Sequence, residues 1–341
     1  MCSTREPSMH DLPFESGPIE RLRTVDAALL ESIGRTPLVR LARIGAGLPI
    51  PVLAKCEHLN PGGSVKDRLA LAMVDDAERR GVLRRGATLI EATAGNTGIG
   101  LALVARVRGY ELVCVMPEKM SVDKRTALTA MGARVVITPN AKPDAPDHFQ
   151  NVARRLAAEN GWFLTDQFCN PANVRVHEEM TGPEILEQTD GQIGAFVAGA
   201  GTGGTITGVG RCLKLFGSSA RIVLADPVGS GLARWVTDGI VGNDAPYRVE
   251  GIGTSRPPVI LDRSVIDAAE SVSDAESFAM TRRLWTEEGL FVGGSSGTAV
   301  VAALRVASSG LVRDPVVVVL PDASDRYRSQ EWARAPVDSP A

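Results

Sequence analysis

Short apolar runs alternate along most of the chain with longer stretches in which apolar residues recur at helical spacing. The short runs predict strands at Thr88–Ala92, Glu111–Met116, Arg134–Thr138, Trp162–Thr165, Ile193–Ala198, Arg221–Ala225 and Val316–Leu320. The periodic stretches predict helices at Ser64–Arg80, Thr97–Arg108, Asp123–Met131, His148–Glu159, Thr205–Phe216, Asp274–Glu288 and Gly297–Ala307. Glycine follows many of these elements, at Gly81, Gly109, Gly132, Gly161, Gly217 and Gly289, as expected where a helix ends in a left-handed residue. Strands alternating with helices predict an α/β fold of parallel sheets covered by helices on both faces. Ligands of such folds bind beyond the carboxyl ends of the strands, so the informative loops run from a strand into a helix. Residues 1 to about 30 lack this alternation and read as a polar, proline-containing extension.

The 341 residues suffice for two domains, and 44% hydrophobic with 23% charged residues is ordinary for a globular protein. A net charge of −3 excludes a nucleic-acid footprint, and basic pairs such as Arg79-Arg80 and Arg282-Arg283 read as solvated helix faces. Cys2, Cys56, Cys114, Cys169 and Cys212 have neither metal-binding nor redox-pair spacing, so no metal site is expected and a reducing, cytoplasmic setting fits. Runs such as Val316 to Leu320 are far too short to span a membrane, and the N-terminus carries no apolar signal stretch.

One lysine is locally misplaced. In Asn60-Pro61-Gly62-Gly63-Ser64-Val65-Lys66-Asp67-Arg68, Ser64 is placed to cap a helix and Asp67 to complete a capping box, which puts Lys66 in the first turn. The positive end of the helix dipole disfavours an ammonium there and lowers its pKa, as a Schiff-base lysine requires. Taken alone, the same residue also reads as a solvated surface lysine.

Three strand-to-helix loops carry further chemistry. Thr93-Ala94-Gly95-Asn96-Thr97-Gly98 lets backbone amides converge near a helix N-terminus, which suits a carboxylate, or forms a plain left-handed turn. Gly199-Ala200-Gly201-Thr202-Gly203-Gly204-Thr205 combines glycine-exposed amides, a helix start and two threonine hydroxyls, the makings of a phosphate cradle. Gly293-Gly294-Ser295-Ser296-Gly297 places a hydroxyl at a helix start, either for a ligand atom or as an N-cap. Gly199, Gly201 and Gly204 also satisfy the dinucleotide spacing, with Asp226 where a ribose-binding acid belongs. That NAD reading leaves Lys66, Asn96 and Ser295 without a role.

Together these segments resemble the pyridoxal-phosphate-dependent fold type II β-family, closest to cysteine synthases and the catalytic core of cystathionine β-synthases. The resemblance runs from Ile33-Gly34-Arg35-Thr36-Pro37-Leu38 to about Trp332, and also takes in Pro117-Glu118-Lys119-Met120-Ser121, Gln167 to Pro171, Thr181-Gly182-Pro183-Glu184-Ile185 and Glu250-Gly251-Ile252-Gly253. It implies two parallel-sheet α/β domains, each three-layered, with pyridoxal 5'-phosphate between them. Residues 31–70 and 170–335 would form the larger, cofactor-binding domain and residues 71–169 a smaller, mobile substrate domain.

The resemblance also implies roles for single residues. Lys66 would form the Schiff base and move the α-proton. Asn96 would bond the ring hydroxyl, Gly201, Thr202, Gly203, Gly204 and Thr205 would hold the phosphate, and Ser295 would bond the pyridine nitrogen. Thr93, Ala94, Gly95, Thr97, Gln167 and Gly251 would line the substrate site. The implied reaction is β-replacement on serine, O-acetylserine or O-phosphoserine through an aminoacrylate, adding sulfide or a thiol to give cysteine or cystathionine. Small amino acids are the expected partners and a cytoplasmic homodimer the expected assembly. A non-thiol nucleophile and a non-catalytic cofactor-binding homologue remain the alternatives.

The chain departs from the family pattern at two places that touch substrate. Ala94 stands where a serine is usual, and Thr254-Ser255-Arg256-Pro257-Pro258 replaces a phenylalanine-containing loop. Arg256, a donor fork on a proline-stiffened loop, is a candidate for binding an anionic group on one substrate. Cys2 and His10 lie where some relatives bind haem, without a supporting local motif.

Overall fold

The computed structural model describes residues 29–334 apart from 94, 119, 243 and 244. Cys2, His10, Ala94 and nearly all of the expected N-terminal extension therefore lie outside the described residues.

The described strands form two sheets. The larger has β1 (Leu38–Arg40), β2 (Val52–Lys55), β7 (Ala195–Gly199), β8 (Arg221–Pro227), β9 (Ala268–Val272) and β10 (Val316–Val319), in the order β1-β2-β10-β7-β8-β9. Only β1 runs antiparallel to its neighbour in that sheet. The smaller sheet has β3 (Thr88–Ala92), β4 (Glu111–Pro117), β5 (Arg134–Thr138) and β6 (Phe163–Leu164), all parallel, in the order β5-β4-β3-β6.

Helices connect the strands and cover the sheets: α1 (Lys66–Arg79), α2 (Asn96–Arg108), α3 (Val122–Ala130), α4 (Phe149–Asn160), α5 (Ala172–Val176), α6 (Gly182–Gln188), α7 (Gly204–Leu215), α8 (Leu232–Asp238), α9 (Asp274–Glu287), α10 (Gly294–Ser308) and α11 (Glu331–Arg334). None is long and apolar enough to cross a membrane among the described residues.

The four consecutive valines of β10 show why the larger sheet is covered on both sides. Side chains alternate between the faces of a strand, so Val316 and Val318 join the core with Ala299, Val300 and Ala303 of α10. Val317 and Val319 join the opposite core with Ile206 and Val209 of α7. In the smaller sheet, α1 and α2 fill one core, while α4 packs on the other face against Ile90, Val113 and Val115.

The expected strands and helices are all present, with ends moved by a few residues. Strands β1, β2 and β9 and helices α5, α6, α8 and α11 lie outside those expectations. β2 ends in Lys55, which breaks an apolar pattern. The lysine is nevertheless fully buried, because its Nζ lies 2.7 Å from Glu184 and 2.8 Å from the Thr36 carbonyl. β9 is a half-exposed edge strand containing Glu270 and Ser271.

The run from α5 to α6 contains Gly182-Pro183, which reads as a break, yet the two helices are joined through a π turn at His177–Thr181. Pro183 stands in the first turn of α6, where its missing N–H is tolerated. Gly182 lets α7 approach closely: a Cβ there would lie 2.5 Å from Cys212 Cβ.

A buried ion network anchors α1. Arg68 donates to both oxygens of Glu57 (2.7 and 2.8 Å) and to both oxygens of Glu184 (2.7 Å each). Burial alone would raise the Glu184 carboxyl, but the Arg68 and Lys55 hydrogen bonds win and hold it down at about 2. The network fixes the helix that begins at Lys66.

Candidate active site

Four helices begin at the expected loops, and none is capped by a side chain. The residues preceding α1, α2, α7 and α10 are Val65, Gly95, Gly203 and Gly293, none of which offers a side chain to the first-turn amides. By contrast, Ser121 and Ser273 cap α3 and α9 in the ordinary way. The expected capping box at Ser64 and Asp67 does not form. Ser64 Oγ accepts from the Lys66 amide at 3.2 Å, but Asp67 is drawn to the Gly62 amide (2.6 Å), which the preceding turn brings closer. Burial pushes the Asp67 carboxyl up to about 7, against that hydrogen bond.

Lys66 is the first residue of α1, and its amine is lowered to about 8. Burial is the main cause, opposed by the nearby Asp322 carboxylate. Gly100 of α2 lets that helix close on the backbone here, because a Cβ would stand 3.0 Å from the Lys66 carbonyl oxygen.

A hydrogen-bonded chain links the lysine loop to the other loops. Ser64 pairs with Asp322 in an isolated antiparallel bridge, and the Val65 amide donates to the Pro321 carbonyl at 2.8 Å. Asn96 Nδ2 donates to Asp322 Oδ2 at 2.7 Å. Next to Asn96, Thr97 Oγ1 donates to Gln167 Oε1 at 2.6 Å. The Gln167 carbonyl accepts from Asn173 Nδ2 (2.8 Å), which also donates to Thr202 Oγ1 (3.0 Å). The Asn96, Gln167 and Thr202 loops thus form one connected wall. Thr93 shapes the Asn96 loop by accepting from the Gly95 and Gly98 amides at 2.9 and 3.2 Å.

The Gly201–Thr205 loop is held tightly by its surroundings. Gly203 has φ +88, and a Cβ there would lie 2.6 Å from Leu261 Cβ. At Gly204 a Cβ would lie 2.1 Å from Asn173 Oδ1, and at Gly201 2.4 Å from the Gly251 carbonyl oxygen. Gly251 belongs to a loop pinned here by the Gly253 amide, which donates to the Ala200 carbonyl at 2.8 Å. Thr205 Oγ1 lies 3.2 Å from His177 Nε2, and His177 Nδ1 lies 2.9 Å from Thr181 Oγ1. His177 is held well below its usual pKa, first by burial and then by the charges of Arg68 and Lys66. A neutral imidazole at this place orients the Thr205 hydroxyl without competing for an anion.

Ser295 is the second residue of α10 and 3% exposed, inside the helix and not at its cap. Its loop is joined to Asp322 through the Gly293 amide, which donates to the Asp322 carbonyl at 3.0 Å. Arg256 stands apart from this wall. Its guanidinium is exposed and donates both Nη atoms to the Asp144 carboxylate at 3.0 Å each. Asp226, the acid of the dinucleotide pattern, is buried and accepts from the Ala233 amide at 2.8 Å, so it serves the start of α8.

Sequence reasoning passed over Asp322, Arg326, Lys124, Asn173 and His177. A clue to Asp322 existed: a carboxylate three residues beyond an all-valine strand stands at the carboxyl edge of the sheet, where ligands bind.

The model of a family described as pyridoxal-phosphate dependent enzyme matches residues 29–322. The chain is 46% identical over 325 residues to cystathionine beta-synthase of Oryctolagus cuniculus, covering 94% of this chain and 59% of that protein. It is 44% identical over 305 residues to cysteine synthase A of Escherichia coli strain K12, covering 87% of this chain and 92% of the relative. The crystal structure of O-ureido-L-serine synthase superposes with a TM-score of 0.83 at 40% identity, covering 89% of this chain and 94% of the other.

The residues present fit such a cofactor. Uncapped amides and the hydroxyls of Thr202 and Thr205 suit a phosphate. A lysine with a lowered pKa suits an aldehyde. Ser295 and Asn96 offer neutral partners for ring atoms.

Proposed function

Because the chain belongs to the family of pyridoxal-phosphate dependent enzymes, we propose that it catalyses β-replacement on serine or an O-activated serine. Sulfide or a thiol would take the place of the β-substituent, giving cysteine or cystathionine. The observation that carries this reading is Lys66, lowered to about 8 at the start of α1 and joined through Asp322, Asn96, Gln167 and Asn173 to the glycine loop at Thr202.

When bound, the cofactor supplies an aldehyde for amines and a conjugated ring that withdraws electrons from the substrate's α-carbon. The protein supplies the rest. Gly201–Thr205 would bind the phosphate with backbone amides and the Thr202 and Thr205 hydroxyls. Ser295 would bond the ring nitrogen as a neutral group, which keeps the sink weak and favours loss of a β-substituent. Lys66 would take and return the α-proton at Nζ, a task suited to an amine near 8. Thr93, Gly95, Thr97 and Gln167 would hold the substrate carboxylate. Residues 71–169 would act as the mobile substrate domain against a core formed by 31–70 and 170–335. We also infer a cytoplasmic homodimer, to be checked by light scattering and fractionation.

A second reading is favoured by one comparison. O-ureido-L-serine synthase is similar over nearly the whole described chain. Leaving an O-ureido group on the β-carbon by replacement requires an N-hydroxyurea as the nucleophile. The test is a screen pairing serine, O-acetylserine and O-phosphoserine with sulfide, homocysteine, cysteine and hydroxyurea, with products identified by mass. One favoured pair is expected. A protein that holds cofactor yet turns over no pair would be a non-catalytic homologue.

A further inference from the structure

Asp322 touches the segments at which α1, α2 and α10 begin. Its backbone bridges Ser64 of the lysine loop and accepts from Gly293 of the serine loop. Its side chain is 1% exposed, and Oδ2 accepts from Asn96 Nδ2 (2.7 Å) and the Tyr327 hydroxyl (2.6 Å). Oδ1 has no partner among the described residues. Gly293 leaves room for that oxygen, since a Cβ would lie 2.3 Å from it.

The Asn96 amide is bound at its other end too. Arg326 Nη1 donates to Asn96 Oδ1 at 3.0 Å, and Arg326 Nη2 to the Gly62 carbonyl at 2.7 Å. A side-chain amide has two N–H donors and one carbonyl acceptor. With the carbonyl facing a guanidinium and one N–H facing a carboxylate, the amide cannot flip without opposing like partners. One N–H remains uncommitted.

We propose that Asp322, together with Arg326, is the positioning residue that fixes the Asn96 amide so that its second N–H is reserved for the ring oxygen of the cofactor. Neither residue need touch the reacting atoms; both act through Asn96. The inference rests on the cofactor assignment above and extends it from one asparagine to the pair that orients it.

The test is a cycle of variants stripped of cofactor and titrated with pyridoxal 5'-phosphate, following affinity and the absorbance maximum. Asn96→Ala and Asp322→Ala should each weaken binding about tenfold, the worth of one well-placed hydrogen bond, and should shift the absorbance maximum alike. In the Asn96→Ala background, Asp322→Ala should add nothing. Should Asp322→Ala fail to fold, Arg326→Met carries the same cycle, and its loss should also shrink when Asn96 is absent. A loss that persists undiminished in the Asn96→Ala background, or wild-type affinity and absorbance in folded Asp322→Ala, overturns the proposal. A wild-type protein that takes up no cofactor would overturn the functional reading, and this inference with it.

Discussion

Lys124 of α3 reaches Glu250 across the boundary between the two sheets, with Nζ 2.6 Å from Oε2 and 4.6 Å from the centre of the Tyr327 ring. The lysine is 2% exposed, and its stem fills the space that a side chain at Gly95 would need. Removing one partner of such a pair strands the other's charge. Lys124→Met should therefore destabilise the protein by about 3 kcal/mol, read from the denaturant midpoint. Lys124→Met with Glu250→Gln should recover most of that. Equal losses in the single and double variants would show that packing of the stem dominates.

Borohydride reduction of the purified protein followed by peptide mapping should place the pyridoxyl group on Lys66. Label on another lysine would refute the assignment. Lys66→Ala should abolish turnover while retaining some cofactor through the Gly201–Thr205 loop.

Gly203→Asp should prevent cofactor uptake. The residue needs φ +88, its Cβ would meet Leu261, and the carboxylate would repel a phosphate. Ser295→Ala should keep the cofactor and lose activity. Loss of its single hydrogen bond is worth about 0.5–1.5 kcal/mol, more if the buried partner is left unpaired. Unchanged turnover in Ser295→Ala would exclude it from the ring-nitrogen role.

Glu91 on β3 gives the protein a signature in pH. Burial raises its carboxyl to about 8, although Thr165 and the Gln167 amide donate to it. An unfolded glutamate loses its proton near the ordinary value of 4.5, before the folded one does. The contribution of Glu91 to stability should therefore be full below that pH, fall as pH rises, and level off above about 8. Asp67 and Asp226, raised to about 7 and 6, act in the same direction. Glu91→Gln should flatten the slope of the unfolding midpoint between pH 5 and 8. An unaltered slope would mean that Glu91 keeps its charge in the folded state.

Arg256 and Asp144 form an exposed bidentate pair between two loops distant in sequence. If the guanidinium serves an anionic substrate, that substrate must displace Asp144. Asp144→Asn should then lower KM for the anionic substrate. Arg256→Ala should lower kcat/KM for it by about ten- to a hundredfold and spare a neutral pair such as O-acetylserine with sulfide. Equal losses with both substrate types would show that the pair only orders the rim.

What the sequence revealed was the chemistry that is local. A lysine at a helix start and glycines ahead of Thr205 are features of adjacent residues, and they are visible without a fold. Asp322 is different: its importance arises because β10 lies beside β2 and its following loop meets Asn96, far away in the chain. Lys55 hid a strand for the same reason, since partners far away in the chain, Glu184 and Gln188, help make its burial tolerable. Ser64 and Asp67 matched the capping-box spacing, but a neighbouring turn offered Asp67 a closer amide. Arg256 was visible as a donor fork, while Asp144, brought opposite it only by folding, was not.

The sheet order has a consequence for how the protein is made. β10 lies between β2 and β7, so the strands leading into the lysine loop and the glycine loop are joined only through a segment at residues 316–319. A nascent chain can collapse around the smaller sheet much earlier, because β3 to β6 are contiguous in sequence. Its larger sheet must wait for the valine strand to insert, a late, long-range pairing of the kind that slows folding. The loops that follow β2 and β7 are therefore held side by side only once the last strand of that sheet is in place.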